Sequence, residues 1–178
     1  MKVVRVLHPC VATLVTCSGR GVDNVLAVAW AMPVSADPPM VAVSISPKRY
    51  SYSLIEETGE FVVNVVSTDM LDAVWKCGTT SGRRVDKFSL AGLEKTPSEV
   101  VKPPRVKGAL ASLECRVVDR VEAGDHVLFV GEVVAYHVDE EVFNVERGVW
   151  RLEKASILMH LGGELFVQPR AEPLTPRP

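Results

Sequence analysis

The sequence predicts a mainly β protein, a barrel of antiparallel strands with short helices set between them. Apolar stretches rich in β-branched residues recur along the 178 residues, at least seven in all. Tight turn-forming clusters at 18–23 and 123–125 join neighbouring stretches, which favours antiparallel pairing. Only two short segments carry a helical period, and both fall between strands. A closed sheet with helices over its ends satisfies all three observations. The length suits one domain.

Val11–Cys17 is the first strand, ending at the cluster Ser18-Gly-Arg-Gly-Val-Asp23. Val25 to Met32 is the second, with Ala27, Ala29 and Ala31 on one face. Such small residues admit a flat ligand or, equally, a neighbouring helix. Pro33 to Pro39 is expected to leave regular strand, because proline removes ladder donors. Met40 to Ser46 is the third strand. Ser51 to Thr58 is a short helix, with Ser53 and Glu56 as a capping box, Ser51 as an alternative N-cap and Gly59 as C-cap. Glu60–Val66 is a strand. Thr68 to Cys77 is an amphipathic helix closed by Gly78. Residues 79–104 read as one long loop containing Asp86-Lys-Phe88, and loops of that length in compact domains are usually functional or disordered. Strands resume at Ala109–Val121, His126–Val138 and Gly148–Met159. The run from His126 is apolar on both faces, as suits a central strand or one beneath a dimer interface. Gly131 within it suits a bend. The domain spans residues 1–167, and a Pro-rich tail covers 168–178.

A net charge of −2 offers no general attraction to nucleic acid or to an anionic membrane. No apolar run reaches the length of a membrane span, and the first residues lack a signal-peptide core, so a soluble, cytoplasmic chain is expected. Cys10, Cys17, Cys77 and Cys115 form no C-x-x-C pair and have no His at metal-ligand spacing, so they read as reduced core thiols. His8, His126, His137 and His160 are scattered and make no ligand pattern. There is no G-x-G-x-x-G after a strand, no P-loop and no G-x-S-x-G.

Two segments offer a site instead. Trp30-Ala-Met-Pro33 stands at a strand-to-loop corner, where irregular backbone leaves N–H and C=O groups for a partner beside an apolar platform. As plain core residues, Trp30 and Met32 would explain the same letters. Ser46-Pro-Lys-Arg-Tyr-Ser51 places two cations and the hydroxyls of Ser46 and Ser51, with that of Ser53 close behind, at a helix start, where free N–H groups and the helix dipole favour a phosphate. Arg49 would grip it bidentately and Lys48 as a point charge. An ordinary solvated turn fits these residues too.

In order and spacing, these segments resemble the flavin reductase-like family of FMN-binding split barrels, close to its flavoredoxin and ferric reductase branch. The pieces are Pro9–Thr16, Asp23-Asn24, Trp30 through Pro39, Val43 through Ser51, Gly59 through Asn64, Cys77 through Gly82, Asp86-Lys-Phe88, Ala111 through Cys115, Gly124-Asp-His126 and Leu161-Gly-Gly163. The resemblance implies a homodimer with non-covalent FMN. Trp30, Ala31, Met32 and Pro33 would lie against the ring. Ser46, Pro47, Lys48, Arg49 and Ser51 would surround the phosphate, and Lys87 would reach the cofactor. His126 would contact NADH or NADPH, the electron donor, with free flavin, a ferric chelate or another molecule as acceptor. No catalytic side chain or metal is then required, because cofactors carry the redox chemistry and the protein orients them. Two alternatives stand beside this reading: an electron-transfer flavoprotein reduced by a protein partner, and a β-barrel binding module without a cofactor.

Overall fold

The computed structural model describes residues 3–174 and 176. Its main sheet has seven strands: β1 (Thr13–Gly19), β2 (Val22–Val28), β3 (Ala31–Ala36), β4 (Pro39–Ile45), β5 (Glu60–Val65), β6 (Ala111–Ala123) and β7 (His126–Val138). Their spatial order is β2-β1-β5-β6-β7-β4-β3, and every pairing is antiparallel. The two edge strands, β2 and β3, are joined only by Ala29 and Trp30. Two residues span about 7 Å at most, so the sheet must curl until its edges nearly meet. A hydrogen bond from Ser44 N to the Trp30 carbonyl (2.9 Å) ties that corner to β4.

The barrel interior holds Val15, Cys17, Leu26, Val43, Ile45, Phe61 and Phe129, closed at one end by Leu54 and Ile55 of α1 (Tyr50–Thr58). Burying each large side chain contributes roughly 1.5–3 kcal/mol. β1 is buried on both faces. Leu14, with Ala12 just ahead of the strand, points into a second core against Val74 and Cys77 of α2 (Leu71–Thr79) and Phe88 of α3 (Lys87–Ala91). Asn64 fastens the strands between the cores. Its amide donates to the Leu14 carbonyl, and its oxygen accepts from Val106 N and Ser112 Oγ.

Several expectations change. The proline segment does form strand: Pro33 faces Val41, and Pro39 opens β4. Prolines are tolerated here because β3 is an edge, Pro39 is a first residue, and the register shifts between Pro33 and Ser35. The helix over 51–58 begins at Tyr50, with Arg49 in the extended N-cap position and no side-chain cap. The capping box does not form, because Ser53 Oγ donates back to the Tyr50 carbonyl. Gly59 is the left-handed C-cap expected. Gly78 lies inside α2, which continues to Thr79. The long loop contains α3, capped by Asp86, whose carboxylate accepts from Phe88 N and Ser89 N. Of Gly148–Met159, only Val149-Trp150 is strand before Met159–Gly162 begins. Met159–Gly162 pairs with both Cys10-Val11 and Leu165–Val167 in a small separate sheet. Among the described residues, no helix is long and apolar enough to cross a membrane.

Candidate functional site

The corner that closes the barrel also builds the site. Where β2 gives way to β3, Trp30 is turned outward and 41 % exposed. It packs against His126, at the start of β7, with ring centroids 4.9 Å apart. Asp125 Oδ1 lies 2.7 Å from His126 Nδ1 and fixes that ring. The hydrogen bond to His126 in turn holds the Asp125 carboxyl below its ordinary range.

Two cavities meet at this corner and share Trp30, Ala29, Ser44 and His8. One, of about 360 Å³, is apolar, walled by Ala31, Met32, Leu7, Cys10 and Leu128. The other, of about 260 Å³, is cationic: Arg49, Ser46, His126 and Gly78 line it with Arg5, His8 and His160. No carboxylate lines either cavity among the described residues. The start of α1, which has no side-chain N-cap, adds positive potential beside Arg49. An amphiphilic ligand with a flat apolar part and an anionic end fits this pair of cavities.

The sequence candidates separate accordingly. Trp30, Ala31 and Met32 line the apolar cavity, and Ser46 and Arg49 the cationic one. Pro33 lies farther along β3, and Pro47 and Lys48 are exposed turn residues that line neither cavity. The Ser51 side chain is buried and its hydroxyl accepts from Asn24 Nδ2 (2.7 Å), so it faces inward. Lys87 lines neither cavity. It is 3 % exposed, and its ammonium donates to the carbonyls of Val25 (2.7 Å) and Cys77 (2.6 Å), staples that tie α2 to β2 beneath the site. Burial lowers its pKa.

Sequence reasoning missed Arg5, His8, His160 and Gly78. His8 and His160 are 152 residues apart, yet their rings meet edge-on at 5.2 Å, and the His8 ring lies 3.0 Å from the His160 carbonyl oxygen. The pairing of Cys10 with His160 brings them together. No local pattern signals a contact of that range.

Residues 6–162 match the family model for the flavin reductase like domain. The chain belongs to the flavin reductase-like family. An uncharacterised protein of Pyrococcus abyssi is 43 % identical over 168 residues, 94 % of each chain. Among solved structures, flavoredoxin from Methanosarcina acetivorans is 32 % identical, with a TM-score of 0.78, over 86 % of this chain and 80 % of that one. An FMN-binding protein from Thermus thermophilus, solved with bound 1-cyclohex-2-enone, is 30 % identical, with a TM-score of 0.86, over 96 % and 92 %. The fold is thus the split barrel of the flavin reductase-like family.

Proposed function

We propose that this flavin reductase-like protein binds FMN non-covalently and works as an NAD(P)H-dependent oxidoreductase that passes electrons to free flavin, a ferric chelate or another acceptor. One observation carries the proposal: an apolar cavity and an acid-free cationic cavity meet at Trp30, each sized for one end of a phosphorylated aromatic cofactor. Met32, Ala31 and Trp30 would hold the ring by dispersion and exclude water from it. Arg49, Ser46 and the start of α1 would hold the phosphate. Bound FMN would supply the two-electron chemistry. His126, held by Asp125 and packed at a tilt against Trp30, would contact the nicotinamide donor. The likeness to flavoredoxin supports a second reading, an electron carrier reduced by a protein partner.

Visible spectroscopy of the purified protein, with and without added FMN, tests the first step. Flavin bands, or saturable FMN binding, are expected. A colourless chain that takes up no FMN would overturn both flavin readings and leave a binding module without cofactor. Anaerobic NADH or NADPH should then bleach the bands; unbleached bands would favour the carrier.

A further inference from the structure

Of the residues that wall both the apolar and the cationic cavity, His8 and Ser44 have polar side chains. His8 is held in place by the far end of the chain. Its Nδ1 lies 3.0 Å from the His160 carbonyl oxygen, and its backbone N–H donates to the Arg5 carbonyl. The His160 ring meets it edge-on at 5.2 Å. That second ring is itself fixed by the Gly163 carbonyl oxygen, 3.0 Å from its Nε2, and by Phe166 at 5.1 Å. A carbonyl oxygen only accepts, so Nδ1 of His8 carries a proton, and the lone pair of the neutral ring falls on Nε2. This Nε2 is buried and has no hydrogen-bond partner among the described residues. His137 Nε2 is also buried without a hydrogen bond, but the carboxylates of Glu114 and Glu99 stand 3.4 and 3.5 Å from it. The walls that His8 shares carry no carboxylate among the described residues. A buried acceptor left unmet costs free energy, and a ligand that runs from one cavity to the other can meet it with a donor.

The position of His8 says which part of the ligand brings that donor. With a flat ring in the apolar cavity and an anion in the cationic one, the segment at the shared wall is the linker between them. In FMN that linker is a chain of hydroxyl-bearing carbons. We propose that His8 is a specificity residue: its Nε2 accepts a hydrogen bond from a linker hydroxyl, and the site thereby selects a polyol linker over a plain alkyl one. This rests on the flavin reading above and adds the part of the ligand that neither Trp30 nor Arg49 reads.

Flavin fluorescence titration with three probes tests it. The probes are FMN, riboflavin, and an FMN analogue that keeps ring and phosphate but carries a pentyl chain in place of the ribityl chain. His8→Asn keeps a donor for the His160 carbonyl and does not reach the place of Nε2, whereas His8→Gln sets an amide oxygen there. His8→Asn should weaken FMN and riboflavin about tenfold and leave the pentyl analogue within about twofold. His8→Gln should recover most of that loss. FMN and the pentyl analogue weakened alike, with riboflavin spared, would put His8 on the phosphate. All three weakened alike, or a loss that His8→Gln does not recover, would leave only a packing role. Unchanged FMN would mean no contact. Each of these results overturns the proposal and leaves flavin binding standing. An unaltered chain that binds none of the three probes would instead defeat the flavin reading, and His8 with it.

Discussion

Arg49 occupies the extended N-cap of α1, lines the cationic cavity and has no carboxylate partner among the described residues. A charge-assisted bond to phosphate contributes more than a neutral one, and riboflavin lacks that group. Arg49→Ala is therefore expected to weaken FMN by one to two powers of ten, by a loss of roughly 1.5–3 kcal/mol, and riboflavin hardly at all, as read by flavin fluorescence titration. Equal weakening of both would remove Arg49 from the phosphate. The thiols make a second residue-scale prediction. Burial pushes Cys17 and Cys77 up to about 11 and Cys115 up to about 12, so none of these is a thiolate at neutral pH. Cys10 is half-buried on the rim of the apolar cavity. A chromogenic disulfide reagent should titrate one thiol in the native protein and four in denaturant. Fast reaction of two or more natively would contradict the buried placement.

At the scale of elements, the segment 97–104 is held mainly by Glu114, with Glu60 accepting from Lys102 N. Glu114, on β6, has no solvent-exposed side-chain surface and accepts from the N–H groups of Glu99, Val100 and Val101, with His137 Nε2 at 3.4 Å. Burial alone would raise its pKa, but these N–H donors together with His137 outweigh burial and lower it. With the folded pKa below the unfolded value, its stabilisation is complete above the ordinary carboxylate range and is lost as pH falls through the folded pKa. Glu114→Gln should cost about 1–3 kcal/mol at neutral pH and flatten the acid limb of a pH–melting profile. An unchanged limb would mean that Glu114 contributes no linkage. The crossing of β7 over β5 and β6 is as tight. A Cβ on Gly131 would stand 2.6 Å from Phe61 Cζ and 2.9 Å from Cys115 Cβ. Gly131→Ala is expected to destabilise by about 1–3 kcal/mol in urea unfolding, and a neutral result would show that Phe61 can yield. The sequence marked Gly131 as a bend, and the register does shift there. The packing of Phe61, from a strand 70 positions earlier, was not readable locally.

For the whole molecule, Val118 and Val121 of β6, Tyr136 of β7, and Met32 and Val34 of β3 leave large apolar side chains exposed. Exposed apolar surface of this kind marks association, and we propose that it is covered in a homodimer. Sedimentation equilibrium at micromolar concentration should give twice the chain mass, and a monomer would leave those residues without a partner. The barrel was largely legible from the chain because its signals are local. Alternating β-branched runs, Gly59 after α1 and the 123–125 turn each act over a few residues. The edge strand β3 was not, since a proline is excluded from a ladder only where its N–H would have paired, and whether a strand is an edge is a property of the sheet. Nor was α3, whose five residues are too few to show a period and are held by the Asp86 cap and the burial of Phe88.

Local chemistry, in the residues themselves, determined the mainly β class, the corner at Trp30 and the cationic turn at Ser46 to Ser51. Only the tertiary structure decided which of those candidates face a common space. Curling the sheet set Trp30 beside His126, and pairing the two ends of the chain brought Arg5, His8 and His160 to Arg49. The same packing turned Lys87 and Ser51 inward, onto the carbonyls and amide that needed them. The reason is physical: a side chain's type is written at one position, but the direction it faces and the charge it meets depend on strands that arrive from far along the chain.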